Sequence, residues 1–170
     1  MQVKTEFKTV LVTVGTTVFD KLVNAVFSQH VLSTLKSRGC KRIIAQIGNS
    51  HLDLSSLPSI EGVEIETYAY KDSIIEDIEK ADLTIGHAGA GTTLDVLRCD
   101  KTLLVVVNND LMNNHQLELA NSLSEDGYLY QCTPETLAEC LQYLDPSQLK
   151  PFPKQNKILF ATFLDRVLST

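Results

Sequence analysis

An α/β fold, in which a parallel sheet carries helices on both faces, is the architecture this 170-residue chain predicts. Three observations carry that reading. Short β-rich apolar runs alternate with segments of helical spacing along the whole chain. The run Leu103-Leu104-Val105-Val106-Val107 is continuously apolar, as a strand covered on both faces requires. The apolar run at 82–86 breaks at His87, passes through two glycines and becomes a helix pattern, the strand, turn and helix of a βαβ unit. With 44% apolar residues and no run of about 18 uncharged apolar residues, the chain reads as one globular domain able to bury roughly 70% of its unfolded surface.

The elements follow in order. Val10 to Val14 is a β-rich strand, and Phe19 to Leu35 has helical spacing through Phe19, Leu22, Val23, Val26, Phe27, Val31 and Leu35. Arg42 to Ile47 is a second strand, a polar loop covers Asn49 to Pro58, and Val63 to Tyr68 alternates apolar with acidic residues as a third. Ser73 to Lys80 is a helix whose Ser73 and Glu76 have capping-box spacing. Strand 82–86, helix 92–99, strand 102–107, helix 115–126, strand 128–131 and helix 134–144 complete the pattern, with Thr133 as N-cap and Pro134 at the first helical position. The expected organisation is an N-terminal tail at 1–8, a Rossmann-like domain at 9–145, a linker at 146–153 and a C-terminal helix at 154–170.

Composition excludes several classes of function. A formal net charge of −6 and a pI near 5.1 argue against nucleic acid as a partner, because such binding neutralises phosphates with a basic surface. Cys40, Cys99, Cys132 and Cys140 are scattered, without a C-x-x-C pair or a histidine at metal-ligand spacing, and read as reduced thiols of a cytosolic protein. The first residues lack the apolar core of a signal peptide and no Asn-x-Ser/Thr sequon occurs, which also fits the cytosol.

In a doubly wound sheet, ligands bind beyond the carboxyl ends of the strands. Three loops at that edge carry chemistry. Gly15-Thr16-Thr17 offers backbone and two hydroxyls. His87-Ala88-Gly89-Ala90-Gly91-Thr92 opens a helix, where unpaired N–H groups and the positive end of the helix dipole receive an anion. Asn108 to Gln116 reads Asn-Asn-Asp-Leu-Met-Asn-Asn-His-Gln, a loop rich in groups that bond sugar hydroxyls. A phosphate cradle beside a hydroxyl-reading loop suggests a nucleotide sugar. The dinucleotide fingerprint G-x-G-x-x-G is absent because Leu94 stands at the third glycine position, and no G-x-x-x-x-G-K-[ST] string exists.

Each loop also has a plainer reading. Thr92 and Asp95 have the spacing of a capping pair. His87 can satisfy backbone groups at a strand end. Asn113 or Asn114 can cap the helix that follows, and Gly15-Thr16-Thr17 can be an ordinary turn.

The combination resembles the donor half of GT-B glycosyltransferases. More closely, Val12 to Thr17 with Phe19-Asp20, the segment Tyr70-Lys71-Asp72-Ser73, His87 to Thr92, and Met112-Asn113-Asn114-His115-Gln116 resemble catalytic subunits of the eukaryotic two-subunit UDP-N-acetylglucosamine transferases of dolichol-linked oligosaccharide synthesis. The bacterial lipid II GlcNAc transferase is a more distant relative. The resemblance runs over about residues 9 to 168. It implies that Gly89, Ala90 and Gly91 hold the diphosphate through backbone N–H groups, with the Thr92 hydroxyl beside them. It implies further that Asp95 bonds the ribose, that His115 and Gln116 hold the GlcNAc hydroxyls, and that Gly15, Thr16 and Thr17 lie near the diphosphate and the sugar. The bacterial relative has glutamine where this chain has His115. His87 and Asn113 complete the expected substrate-binding set, and the uracil is expected beyond the third strand.

Inverting sugar transfer needs a base on the acceptor hydroxyl and stabilisation of the departing UDP. No Asp-x-Asp metal motif occurs, so the helix N-terminus at 90–93 is expected to serve the leaving group without metal or other cofactor. No catalytic base is assigned to this chain. In GT-B enzymes the base belongs to the acceptor domain, and 170 residues hold one domain of the two. A membrane-anchored acceptor-domain partner is therefore expected, which would recruit the chain to the cytosolic face of the endoplasmic reticulum with no direct membrane insertion. The last helix, with Ile158, Leu159, Phe160, Phe163, Leu164, Val167 and Leu168, has a stripe wide enough to dock that partner or to cover the domain's own sheet. A non-catalytic scaffold or sensor that binds the nucleotide sugar is the alternative.

Overall fold

The computed structural model describes residues 4–110, 114–153, 161–162 and 165–166. Its six strands are β1 (Thr9–Thr13), β2 (Arg42–Gln46), β3 (Glu64–Tyr68), β4 (Leu83–His87), β5 (Thr102–Val106) and β6 (Tyr130–Cys132). They form one sheet in the order β3-β2-β1-β4-β5-β6, and every neighbouring pair is parallel. The helices are α1 (Asp20–Val26), α2 (Gln29–Ser37), α3 (Ile75–Lys80), α4 (Ala90–Arg98), α5 (Asn114–Glu125) and α6 (Leu137–Tyr143).

Alternation along each strand divides the core in two. Val10, Val12, Ile43, Ala45, Leu83, Ile85, Leu104 and Val106 pack with α1, α2 and α6 on one face. Leu11, Ile44, Leu103 and Val105 pack with α3, α4 and α5 on the other. Both faces of the central strands are thus dry, which is why their sequences are continuously apolar. The strand order reverses between β1 and β4: the chain leaves β1 for α1 on one face and leaves β4 for α4 on the other. A crevice opens between those two exits.

Several boundaries differ from the sequence reading, each for a local reason. The segment 19–35 is two helices, because Ser28 interrupts it. The Ser28 hydroxyl donates to the Ala25 carbonyl at 2.7 Å and accepts from the Val31 N–H at 3.3 Å, capping α2. No capping box opens α3; its N-cap is Ile74, and Ser73 Oγ accepts from the Ile75 N–H at 3.3 Å. Helix α4 begins at Ala90, two residues early, with Gly89 as N-cap, so Thr92 lies inside the first turn and the Thr92–Asp95 capping pair does not form. The predicted strand 128–131 is shifted to 130–132, since Tyr128 turns to pack edge-on against Phe152 with ring centroids 5.4 Å apart. Pro134–Thr136 is a 3-10 turn leading into α6, and Thr136 Oγ1 accepts from the Thr133 N–H at 3.1 Å. Most of the predicted C-terminal helix lies outside the described residues; within them, Arg166 meets Asp126 at 3.2 Å.

One buried cation ties the α1/α2/α6 layer together. Arg38, 3% exposed at the end of α2, donates to the carbonyls of Leu141 (2.6 Å), Leu144 (2.9 Å) and Thr5 (3.0 Å). Its guanidinium also stands 4.6 Å from the centroid of Phe7. The last carbonyls of α6, which have no helical partner, are thereby satisfied. Arg38→Ala should leave them buried and unpaired and cost about 3 kcal/mol. Urea unfolding of the two proteins measures this; a loss under about 1 kcal/mol would show that the N-terminal segment and α6 dock without it.

Candidate functional site

The loop leaving β1 is built by three hydrogen bonds. Thr13 Oγ1 donates to Gln46 Oε1 across to β2 at 2.5 Å and accepts from the Gly15 N–H at 3.0 Å. Thr17 Oγ1 donates to the Val14 carbonyl at 2.8 Å, which closes the turn. Gly15 takes φ +59°, a left-handed conformation that side chains rarely adopt. Of the three predicted residues here, Gly15 and Thr17 shape the loop and Thr16 is exposed at its tip.

His87 stands at the end of β4 and is 9% exposed. Its ring fills the space between the β1 and β4 exits. A Cβ on Gly15 would come within 2.6 Å of His87 Cε1, and a Cβ on Gly89 within 2.8 Å of the same atom and closer still to Nε2. Both glycines are required by this one imidazole. His87 Nδ1 is buried and makes no hydrogen bond of good geometry, a condition rare in folded proteins. Burial pulls the His87 pKa below the ordinary 6.5, against an opposing contribution from the Thr13 backbone.

Beyond His87 the chain turns at Gly89 into α4. Ala90 and Gly91 are exposed in its first turn, where N–H groups have no helical acceptor. A Cβ on Gly91 would meet nothing within 4 Å, so this glycine leaves open space over the helix N-terminus. Thr92 and Asp95, both half-buried, lie one turn apart on α4. The structure therefore gathers Gly15, Thr16, Thr17, His87, Gly89, Ala90, Gly91 and Thr92 at one crevice, with Asp95 one turn behind.

The third loop leaves β5 on the other side of β4. Asn108 Oδ1 accepts from the Asp110 N–H at 3.1 Å, and Asp110 pairs with Lys21 of α1 at 2.6 Å, joining this loop to the helix that follows β1. Asn113 lies outside the described residues. His115 and Gln116 belong to the first turn of α5; the His115 side chain lies outside the description, and Gln116 is half-buried. Among the described residues, no group of three or more His, Cys, Asp or Glu side chains is placed to hold a metal ion.

Contacts that the sequence reading missed support the same edge. Gly48, after β2, takes φ +57° and leaves only 3.2 Å between its would-be Cβ and the Thr17 carbonyl, and its N–H donates to the Ala69 carbonyl at 3.1 Å. Asp20, at the start of α1, accepts from the Ser50 hydroxyl at 2.9 Å and stands 2.7 Å from His51 Nδ1, to which the sequence assigned nothing. The His51 bond holds the Asp20 carboxyl below its usual range. Past β3, the buried carboxylate of Asp77 accepts from Tyr68 Oη and Lys71 Nζ, both at 2.7 Å. Burial opposes its ionisation, but those two donors outweigh it and its pKa is lowered. Helical spacing marks Asp77 as a core position, and only a partner six residues upstream in a loop could explain its charge.

With this geometry in place, comparison with known proteins is specific. A model of the glycosyltransferase family 28 C-terminal domain matches residues 9–167. The Cryptococcus neoformans "UDP-N-acetylglucosamine transferase subunit ALG13" is 33% identical over 94% of this chain and 96% of its own length. The chain belongs to the ALG13 family of glycosyltransferase family 28 C-terminal domains. The human protein of the same name is 48% identical over 130 residues, 76% of this chain, and the mouse protein 39% identical over 91% of it. The chain spans 11% and 15% of the lengths of those two relatives. The solution structure of ALG13 superposes with a TM-score of 0.69 and 29% identity, over 97% of this chain and 98% of that one. Acinetobacter baumannii MurG has the same fold at 20% identity, with a TM-score of 0.61 over 99% of this chain and 44% of its own.

Two predictions follow from the His87 packing. Gly89→Ala should destabilise the protein, and most of that loss should vanish in a His87→Ala background, a coupling of at least about 1 kcal/mol. Gly15→Ala should retain part of its cost in the same background because its φ remains strained. Equal costs with and without the ring would mean that His87 does not dictate these glycines. The second concerns pH. Unfolding returns His87 to water, where it takes up a proton near pH 6.5. The unfolded chain then binds more protons than the folded one, so stability falls as pH drops through 6.5 toward the depressed folded value. Denaturant midpoints across this range should show that slope, and His87→Gln should flatten it.

Proposed function

We propose that this chain is the donor-binding, catalytic subunit of an inverting N-acetylglucosaminyltransferase, and that it uses UDP-GlcNAc to add the second, β1,4-linked GlcNAc to GlcNAc-diphosphodolichol. The observation that carries the reading is the open first turn of α4 at the β1/β4 crevice, where Gly91 leaves room for a ligand beside unpaired amides. Membership of the ALG13 family supports the choice of donor, since its relatives are called UDP-N-acetylglucosamine transferase subunits.

In this mechanism the diphosphate rests on the backbone N–H groups of residues 89–91, with the Thr92 hydroxyl beside it and Asp95 on the ribose. Charge builds on the departing UDP as the glycosidic bond breaks. The amides and dipole of α4 are already oriented toward it and need no reorganisation. Gln116, His115 and Asn113 hold the sugar, and the β1 loop of Gly15, Thr16 and Thr17 closes over the diphosphate and sugar from the far side of the crevice. His87 acts as the packing wedge that sets both loops. No metal or other cofactor is required.

The acceptor hydroxyl must lose a proton, and no base for that task is assigned to this chain. The base belongs to a membrane-anchored acceptor-domain partner; the word "subunit" in the relatives' name supports a partner. No helix among the described residues is long and apolar enough to cross a membrane. A lipid-linked acceptor would therefore be reached through that partner, at the cytosolic face of the endoplasmic reticulum, with the C-terminal segment 154–170 as the dock.

Calorimetry with UDP-GlcNAc, UDP-glucose and UDP, on the chain alone and with the partner, tests the reading. Selective UDP-GlcNAc binding that tightens with the partner is expected. Gly91→Leu should leave the unfolding midpoint the same or higher, because its side chain enters empty space and favours the helix, yet weaken UDP binding at least about tenfold. Gln116→Ala should lower transfer by the assembled enzyme about 10²-fold. Donor binding without any transfer, even with the partner, would favour a nucleotide-sugar sensor or scaffold; no binding in either state would remove the site altogether.

A further inference from the structure

Outside the crevice, one cluster of nucleophilic side chains has no part in donor binding. Cys132 ends β6 and Cys140 lies in α6, eight positions apart in the chain with no C-x-x-C spacing to join them. The fold nevertheless sets the two side chains on the wall of one surface cavity. Both are free, half-buried and packed against the edge of the α1/α2/α6 core layer. They line the same surface cavity of about 280 Å³, together with Tyr130, Gln131, Glu139 and Tyr143. Small polar oxidants can therefore reach them, whereas Cys40 is buried at 1% exposure beneath the core.

We propose that Cys132 and Cys140 form an oxidation-sensitive dithiol, closed to an intramolecular disulfide by hydroperoxides and reopened by cellular thiols. The two sulfurs are not equivalent. Interaction between the two neighbouring thiols draws the Cys140 pKa down and, with burial, pushes that of Cys132 up, so Cys140 is taken to supply the thiolate. That thiolate attacks one oxygen of hydrogen peroxide and breaks the O–O bond, giving Cys140 sulfenic acid and hydroxide. The hydroxide takes the Cys132 proton. The Cys132 sulfur then displaces hydroxide from the Cys140 sulfur, and a proton from solvent completes the water. Two thiols and one peroxide become one disulfide and two waters, with two electrons moved from sulfur to oxygen.

Closure would staple the outermost strand to α6. The Cys132 carbonyl accepts the Val107 N–H at 2.9 Å, and Val107 is the residue through which β5 enters the loop of Asn108 to Gln116. A staple at Cys132 therefore restrains the exit of β5 as well as the sheet edge. This device is independent of the donor assignment, because its chemistry needs only the two thiols and an oxidant.

The full chain treated with hydrogen peroxide, quenched with N-ethylmaleimide and mapped by mass spectrometry tests it. A linked Cys132–Cys140 peptide should appear, at least about tenfold faster than oxidation of Cys99, and dithiothreitol should restore both thiols. Cys132→Ser should leave Cys140 as a sulfenic acid trapped by dimedone, and Cys140→Ser should abolish peroxide consumption at this site. Amide exchange at Val107 should slow on closure. The proposal is overturned if the wild-type thiols stay alkylatable, if they pass separately to sulfinic acids, or if linked peptides join other cysteines. Unchanged Val107 exchange in the linked form would overturn the restraint on β5.

Discussion

The imidazole of His87 occupies the volume in which Cβ atoms of Gly15 and Gly89 would stand, and the geometry of the crevice depends on that packing. A side chain at the last position of β4 sits between two loops that leave the sheet on opposite faces. The β1 loop can approach only because Gly15 has no side chain and takes a left-handed φ. The β4 loop can turn into α4 only because Gly89 yields to the ring. Thr13, bonded to both Gln46 and the Gly15 N–H, then fixes the β1 loop relative to β2, and Gly48 lets the β2 loop lie against Thr17. The loops after three neighbouring strands become one packed surface, and the first turn of α4 is left free at its border.

That surface follows from topology before it follows from chemistry. Because α1 and α4 cover opposite faces, the exits of β1 and β4 diverge, and the space between them cannot be filled by either helix. The fold alone is shared with proteins as distant as MurG at 20% identity, where this chain corresponds to 44% of the other. Within that fold, this chain belongs to the ALG13 family. In the function proposed above, oriented amides at a helix start would meet a diphosphate whose charge rises during bond cleavage, a local device that offsets the repulsion of anions by a chain with net charge −6.

Most of the fold was legible in the sequence because periodicity reports burial. Six apolar runs marked six strands, and the continuous run at Leu103 to Val107 marked a central one. Boundaries failed where a single polar side chain acted locally. Ser28 reads as one more residue of an amphipathic helix, and only its bonds to Ala25 and Val31 show it as a break. The clustering of the glycine-rich loops was legible from the rule that ligands bind at carboxyl edges. The inner construction was not. Nothing local links His87 to Gly15, 72 positions upstream, or Asp77 to Tyr68 and Lys71, or Cys132 to Cys140. Such contacts depend on register and crossover, which one-dimensional spacing does not encode.

The motif Gly89-Ala90-Gly91 shows how far sequence letters can mislead about cause. Both glycines invite the same explanation, a backbone that must approach a phosphate. The structure separates them. At Gly89 a methyl group collides with a buried ring, so the constraint is internal packing and is felt by the empty protein. At Gly91 a methyl group meets nothing, so the folded chain has no need of glycine there and pays helix propensity of about 1 kcal/mol relative to alanine. A cost without a structural return points outward, to something absent from the folded chain that occupies the same space. For an open helix N-terminus, that something is best satisfied by an anionic ligand lying directly on the backbone. On the proposed function, two glycines two residues apart thus divide between the architecture of the crevice, at Gly89, and the ligand it would hold, at Gly91.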